Sequence, residues 1–103
     1  MNVIRHVGAT PVFADVDPTT LNVDPDDVRR RITARTKALI PVDQLGMPCR
    51  IEAFTKLAQD HGLRVLQDSA CAMGSRYKGL PVGALALSDD EVTRVVQALQ
   101  GLR

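Results

Sequence analysis

The apolar residues of this chain follow two rhythms. Val12, Phe13, Ala14 and Val16, then Ala38, Leu39, Ile40 and Val42, then Leu63, Val65 and Leu66 form short, nearly continuous runs. Runs of that kind predict buried strands. Between and after them, apolar residues recur at three- and four-residue steps: Val28 and Ile32; Ile51, Phe54, Leu57 and Ala58; Val92, Val95, Val96 and Leu99. That spacing predicts helices with one apolar side. The resulting order is β-α-β-α-β, then a hairpin, then a last helix. Alternation of this kind implies an α/β fold with a parallel sheet and right-handed crossovers.

Local signals place the ends of these elements. Asp17-Pro18 closes the first strand, because a residue before proline avoids helix. Asp24 reads as an N-cap, with Pro25 at the first helical position and Asp26 and Asp27 in the positive first turn. Pro41 lacks the N–H of a ladder bond and so belongs near the end of the second strand. Gly46 and Pro48 turn the following loop. The helix from Ile51 ends at His61-Gly62, with His61 near the negative helix end. A hairpin is expected around Lys78-Gly79. Ser88 and Glu91 form a capping box for the last helix, which Gly101 ends. The stretch from Met1 to Val7 signals no element. Three helices cannot cover both faces of a three-stranded sheet, so an edge and part of a face should stay bare. Self-association through that surface, as a homodimer for example, is one outcome; the last helix folding back over it is another.

Composition narrows the function classes. The 103 residues carry thirteen Lys and Arg against twelve Asp and Glu, which gives no overall attraction to nucleic acid or anionic membrane. Arg29, Arg30 and Arg31 form the one basic cluster, read as a solvated helix face. The low aromatic content argues against base stacking. Cys49 and Cys71 lie too far apart for a CxxC motif, and neither His6 nor His61 has partners at metal-ligand spacing. No apolar run is long enough to span a bilayer, and no secretory segment opens the chain, so the expected location is the cytoplasm.

One stretch stands out chemically: Leu63-Arg64-Val65-Leu66-Gln67-Asp68-Ser69-Ala70-Cys71. It reads as a strand ending in a carboxylate followed by small residues. Open α/β sheets bind ligands at the carboxyl ends of their strands, where Asp68 falls. Ser69, Ala70 and Cys71 would let a flat ring approach the backbone. The competing reading is that Asp68 merely turns the chain after a strand.

The chain resembles the DegT/DnrJ/StrS family of sugar aminotransferases. The likeness is carried by Gly8-Ala9-Thr10-Pro11-Val12-Phe13-Ala14-Asp15-Val16-Asp17, by Thr33-Ala34-Arg35-Thr36-Lys37-Ala38-Leu39-Ile40-Pro41-Val42 and by Leu45-Gly46-Met47-Pro48-Cys49. Asp68-Ser69-Ala70-Cys71-Ala72-Met73-Gly74-Ser75 and the Tyr77-Lys78-Gly79 hairpin add to it, in order over residues 2–86. The resemblance implies the aspartate aminotransferase fold type, with this chain a partial three-layer sheet of the large domain. It implies pyridoxal 5′-phosphate as cofactor, a nucleotide-linked keto-sugar as substrate and an amino acid, glutamate, as donor. It also implies that Asp68 pairs with the pyridine nitrogen of the cofactor, keeping it protonated. Cys71 takes the place, three residues on, of a ring-contacting glutamine. Asp43 stands where a histidine commonly follows the second strand, and so should change the charge beside the site.

The family's Schiff-base lysine segment, which follows the hairpin, has no counterpart here. Residues 1–86 read as a fragment of the large domain and residues 87–103 as the family's C-terminal helix, joined by an internal deletion. Lys37, Lys56 and Lys78 read as surface charges, leaving no catalytic residue to assign and implying inactivity of the chain on its own. A non-catalytic α/β binding or interaction module is the alternative, and a subunit completing a site with another chain a third reading.

Overall fold

The computed structural model describes residues 2–82. The expected capping of the first long-range helix is present. Helix α2 (Pro25–Arg31) begins where the Asp24 side chain accepts the Asp26 N–H at 2.9 Å, with Pro25 at the helix start. Before it lies a five-residue helix, α1 (Asn2–His6), that buries none of its side chains. With no apolar stripe and no N-cap, it left no periodic signal in the sequence.

The first strand expected from the apolar run does not join a parallel sheet. Residues 15–17 instead fold back against 22–24, with a single antiparallel bridge between Val16 and Val23. The Asp17 N–H donates to the Asn22 carbonyl at 2.9 Å, and the Asp24 N–H to the Asp15 carbonyl at 2.9 Å. The Asp15 N–H goes to the Asp27 carboxylate at 2.7 Å. Local partners thus take the backbone groups that a neighbouring strand would need. Val12 and Phe13 stay 69% and 66% exposed, outside any sheet.

Strands β1 (Ala38–Leu39) and β2 (Arg64–Val65) pair in parallel across the crossover helix α3 (Ile51–His61). Hydrogen bonds carry the ladder past these cores. The N–H groups of Arg64, Leu66 and Asp68 donate to the carbonyls of Lys37, Leu39 and Pro41, and the Asp43 N–H donates back to the Asp68 carbonyl at 2.9 Å. Pro41 has no N–H for the rung between, so regular pairing breaks there and resumes as a bridge between Val42 and Asp68. The break falls just before the strand's end, the place such a proline tolerates best.

Helix α3 places Ile51, Phe54, Leu57 and Ala58 inward and stops at Gly62, whose φ of 65° is left-handed. The Gly62 and Leu63 N–H groups both reach the Ala58 carbonyl. The core joins Leu39, Cys49, Ile51, Phe54 and Leu57, with Val23, Val28, Ile32, Leu63, Val65 and Tyr77 packed around it. Strands β3 (Arg76–Tyr77) and β4 (Leu80–Pro81) form the expected hairpin. Lys78 and Gly79 have φ of 50° and 81°, the pair of left-handed residues that a two-residue turn of this kind uses. The Lys78 ammonium ties the hairpin to the start of α3 through both Glu52 oxygens at 2.7 Å. The helix expected from Ser88, and with it the 87–103 unit, lies outside the described residues.

Candidate functional site

The parallel ladder delivers Asp68 to the carboxyl end of β2, as expected. The Asp68 side chain is exposed, and its Oδ1 accepts the Ala70 N–H at 3.1 Å. Its other oxygen takes part in no hydrogen bond among the described residues. Asp68 therefore does turn the chain, through one oxygen, while its side chain stays exposed. Cys71 is an exposed free thiol in the following loop. The turn that presents it is closed by the Ala72 N–H on the Ser69 carbonyl at 2.9 Å, while Ala72 is buried beneath. The Ser75 hydroxyl donates to the Gly46 carbonyl at 2.8 Å, which seats this loop on the turn after β1.

Asp43 does not lie where its charge would face a ligand. It is fully buried, 0% exposed, and turned inward. Its Oδ1 accepts the Cys49 N–H at 2.7 Å; its Oδ2 accepts the Ser69 hydroxyl at 2.6 Å and the Gln67 amide at 2.9 Å. A buried carboxylate needs such donors, and here they surround it. Burial pushes the Asp43 carboxyl up, but hydrogen bonds from the Cys49 N–H, Ser69 and Gln67 outweigh it and hold the group below the usual carboxylate range. The carboxylate is thus held ionised among internal donors, one of which is Ser69, next to Asp68. A signal for this was present in the sequence. Gln67 and Ser69 flank Asp68 with a period of two, so both donors share the face opposite Asp68. Burial, together with the same carboxylate, raises the neighbouring Cys49 thiol to about 12. Asn22, also buried, extends the cluster by accepting the Gln44 N–H and donating to the Met47 carbonyl, both at 2.8 Å.

The remaining candidates are occupied elsewhere. Lys56 sits 3.5 Å from Asp60, and Lys78 is held by Glu52. Lys37 lies at the opposite end of the ladder; five residues at ~3.3 Å each place it roughly 16 Å from the Asp68 end. Arg30 and Arg31 both pair with Asp27, and Arg29 with Asp26, so the basic run is largely neutralised on its own helix. Backbone and guanidinium donors hold the Asp27 carboxyl well below its usual range, the Asp15 N–H first among them. The His61 ring reaches the Leu57 carbonyl at 3.0 Å, within the last helical turn. Among the described residues, no three potential ligands could hold a metal ion, and no helix is long and apolar enough to cross a membrane.

Asp68 and the small residues Ser69, Ala70 and Cys71 thus stand together at the carboxyl end of β2.

Comparison with known proteins places the chain among aminotransferases. A profile of the DegT/DnrJ/EryC1/StrS aminotransferase family matches residues 1–92. The spore coat polysaccharide biosynthesis protein SpsC of Bacillus subtilis is 48% identical over 84 residues, which are 82% of this chain and 22% of that protein. Among solved structures, the aminotransferase from Psychrobacter cryohalolentis superposes with a TM-score of 0.78 at 40% identity, covering 81% of this chain and 21% of that one. DesI, solved in the presence of its TDP-sugar product, gives a TM-score of 0.81 at 34% identity, covering 94% of this chain and 30% of that one. The described residues thus form part of the α/β domain of the aspartate aminotransferase fold. The chain spans about a fifth of the length of the curated relatives it matches, 22% of SpsC and of two others.

Proposed function

Since the chain belongs to the DegT/DnrJ/EryC1/StrS aminotransferase family, we propose that it forms the ring-binding portion of a pyridoxal-phosphate sugar aminotransferase, acting in the cytoplasm. The observation that carries this reading is Asp68: an exposed carboxylate at the carboxyl end of a parallel strand, with one oxygen turned outward. Its role is to hold a proton on the ring nitrogen of the cofactor. A carboxylate within hydrogen-bond reach favours the charged pyridinium. When bound, pyridoxal phosphate supplies the electron sink that stabilises a carbanion at the amino-bearing carbon. Cys71, three residues on and exposed, would contact the ring as a weaker donor than the amide it replaces.

The TDP-sugar product of DesI and the polysaccharide role of SpsC support a nucleotide-linked keto-sugar as amino acceptor; the amino donor in this reading is glutamate. None of the three lysines is free beside Asp68. The amine for covalent attachment of the cofactor comes from outside residues 1–86, and the chain alone does not transaminate. A second reading, a non-catalytic interaction module that self-associates, has in its favour the exposed Val12, Phe13 and Met73; sedimentation that finds only monomer removes it.

The test is an absorbance scan of the purified chain with pyridoxal 5′-phosphate before and after borohydride. No stoichiometric adduct is expected on any lysine. One adduct per chain, on a single lysine, overturns the assignment of the amine to another segment.

A further inference from the structure

We infer that Asp43 is a positioning residue that holds Asp68 with its carboxylate facing outward, gripping the residues on both sides of it from within the fold. The inference rests on the role proposed for Asp68. Side chains alternate along a strand, so Gln67 and Ser69 share one face and Asp68 takes the other. Both Gln67 and Ser69 donate to Asp43 Oδ2, at 2.9 and 2.6 Å. The peptide groups are held as well. The Asp68 N–H donates to the Pro41 carbonyl and its carbonyl accepts the Asp43 N–H, both at 2.9 Å. One buried residue thus contacts positions 67, 68 and 69 together. Rotation of Asp68 inward, or a slip of one residue, would break the grip on Gln67 and Ser69 at once.

The grip depends on an acceptor-only group. Cys49 N–H, the Gln67 amide and the Ser69 hydroxyl all point at the carboxylate as donors. Both carboxylate oxygens accept, whereas an asparagine would bring two donors of its own into the same space. The Cys49 bond also ties the strand end to the start of α3, whose Arg50 cap position makes no side-chain capping bond.

The experiment compares the full chain with Asp43→Asn and Ser69→Ala by NMR. Amide exchange at Asp68 is read against Phe54 and Leu57 in α3, and side-chain couplings report the Asp68 rotamer. Affinity for pyridoxine 5′-phosphate is measured in the same samples. In Asp43→Asn, Asp68 exchange should rise at least tenfold relative to the α3 amides, its single rotamer should average, and affinity should fall at least tenfold. Ser69→Ala, a milder change, should move all three the same way by about threefold. A folded Ser69→Ala or Asp43→Asn in which Asp68 keeps its protection and rotamer overturns the inference. Averaging of Asp68 in the two variants but not in wild type, with no ligand bound by any of the three chains, upholds the positioning role while removing the cofactor role of Asp68; averaging in wild type overturns the inference.

Discussion

Replacing Asp43 with alanine should cost the fold more than any other single polar change near the site. Three donors lose their acceptor. The Cys49 N–H belongs to a residue only 1% exposed and cannot turn to water. Leaving one buried donor unpaired costs ~1–3 kcal/mol. Gln67 and Ser69 are half-buried and can recover water, so each loses only the net value of its bond, about 0.5–1 kcal/mol. The sum is about 2–5 kcal/mol, against ~5–15 kcal/mol for a whole domain. Urea unfolding at pH 7 followed by far-ultraviolet circular dichroism should show a midpoint lower by roughly 1–2.5 M, for a slope of ~2 kcal/mol/M. The effect should also depend on pH in one direction. The folded carboxyl lies below its ordinary value of about 3.9. Its contribution is therefore complete above that pH and is lost as pH falls through the folded value. The gap between wild type and Asp43→Ala should narrow in acid. A loss under ~0.5 kcal/mol at pH 7, or a gap that widens in acid, refutes the assignment of Asp43 as an ionised internal acceptor.

Other consequences are directly measurable. Phe54, 1% exposed at the centre of the core, should cost ~3–5 kcal/mol when changed to alanine, read from the same urea curves. Gly62→Ala should cost ~1–2 kcal/mol, because φ is 65° while the space for a methyl group is open. With its thiol raised to about 12 by burial and the Asp43 carboxylate, Cys49 should resist a thiol-disulfide reagent at pH 8 until urea unfolds the chain. Cys71, exposed, should react at once; two equal rates would contradict the burial of Cys49.

Where one residue type answers one local need, the sequence was readable. Asp24 and Pro25 start α2, Gly62 ends α3, and Lys78-Gly79 turns the hairpin, each for a reason confined to a few residues. The period of Ile51, Phe54, Leu57 and Ala58 likewise marked the face that became the core. Failures came where a partner distant in sequence decided. Val12 to Val16 had the composition of a strand, but Asp27 and Asn22 claimed the backbone beside it. For Asp43 the period of Gln67 and Ser69 put two donors on one face, but that these and the Cys49 N–H, 24, 26 and 6 residues away, converge on its carboxylate is set by the fold. Asp68 was placed correctly, since strand position alone determines it; that one oxygen also turns the chain needed the coordinates.

The most direct test of the role given to Asp68 is a titration of the isotope-labelled chain with pyridoxine 5′-phosphate. This compound keeps the ring and phosphate of the cofactor but cannot condense with lysine. The expected result is a set of shifted amide signals centred on residues 67–72, abolished in Asp68→Asn while the spectrum stays folded. Shifts confined to the neighbourhoods of Lys56 and Lys78, or shifts at 67–72 that persist in Asp68→Asn, would contradict it.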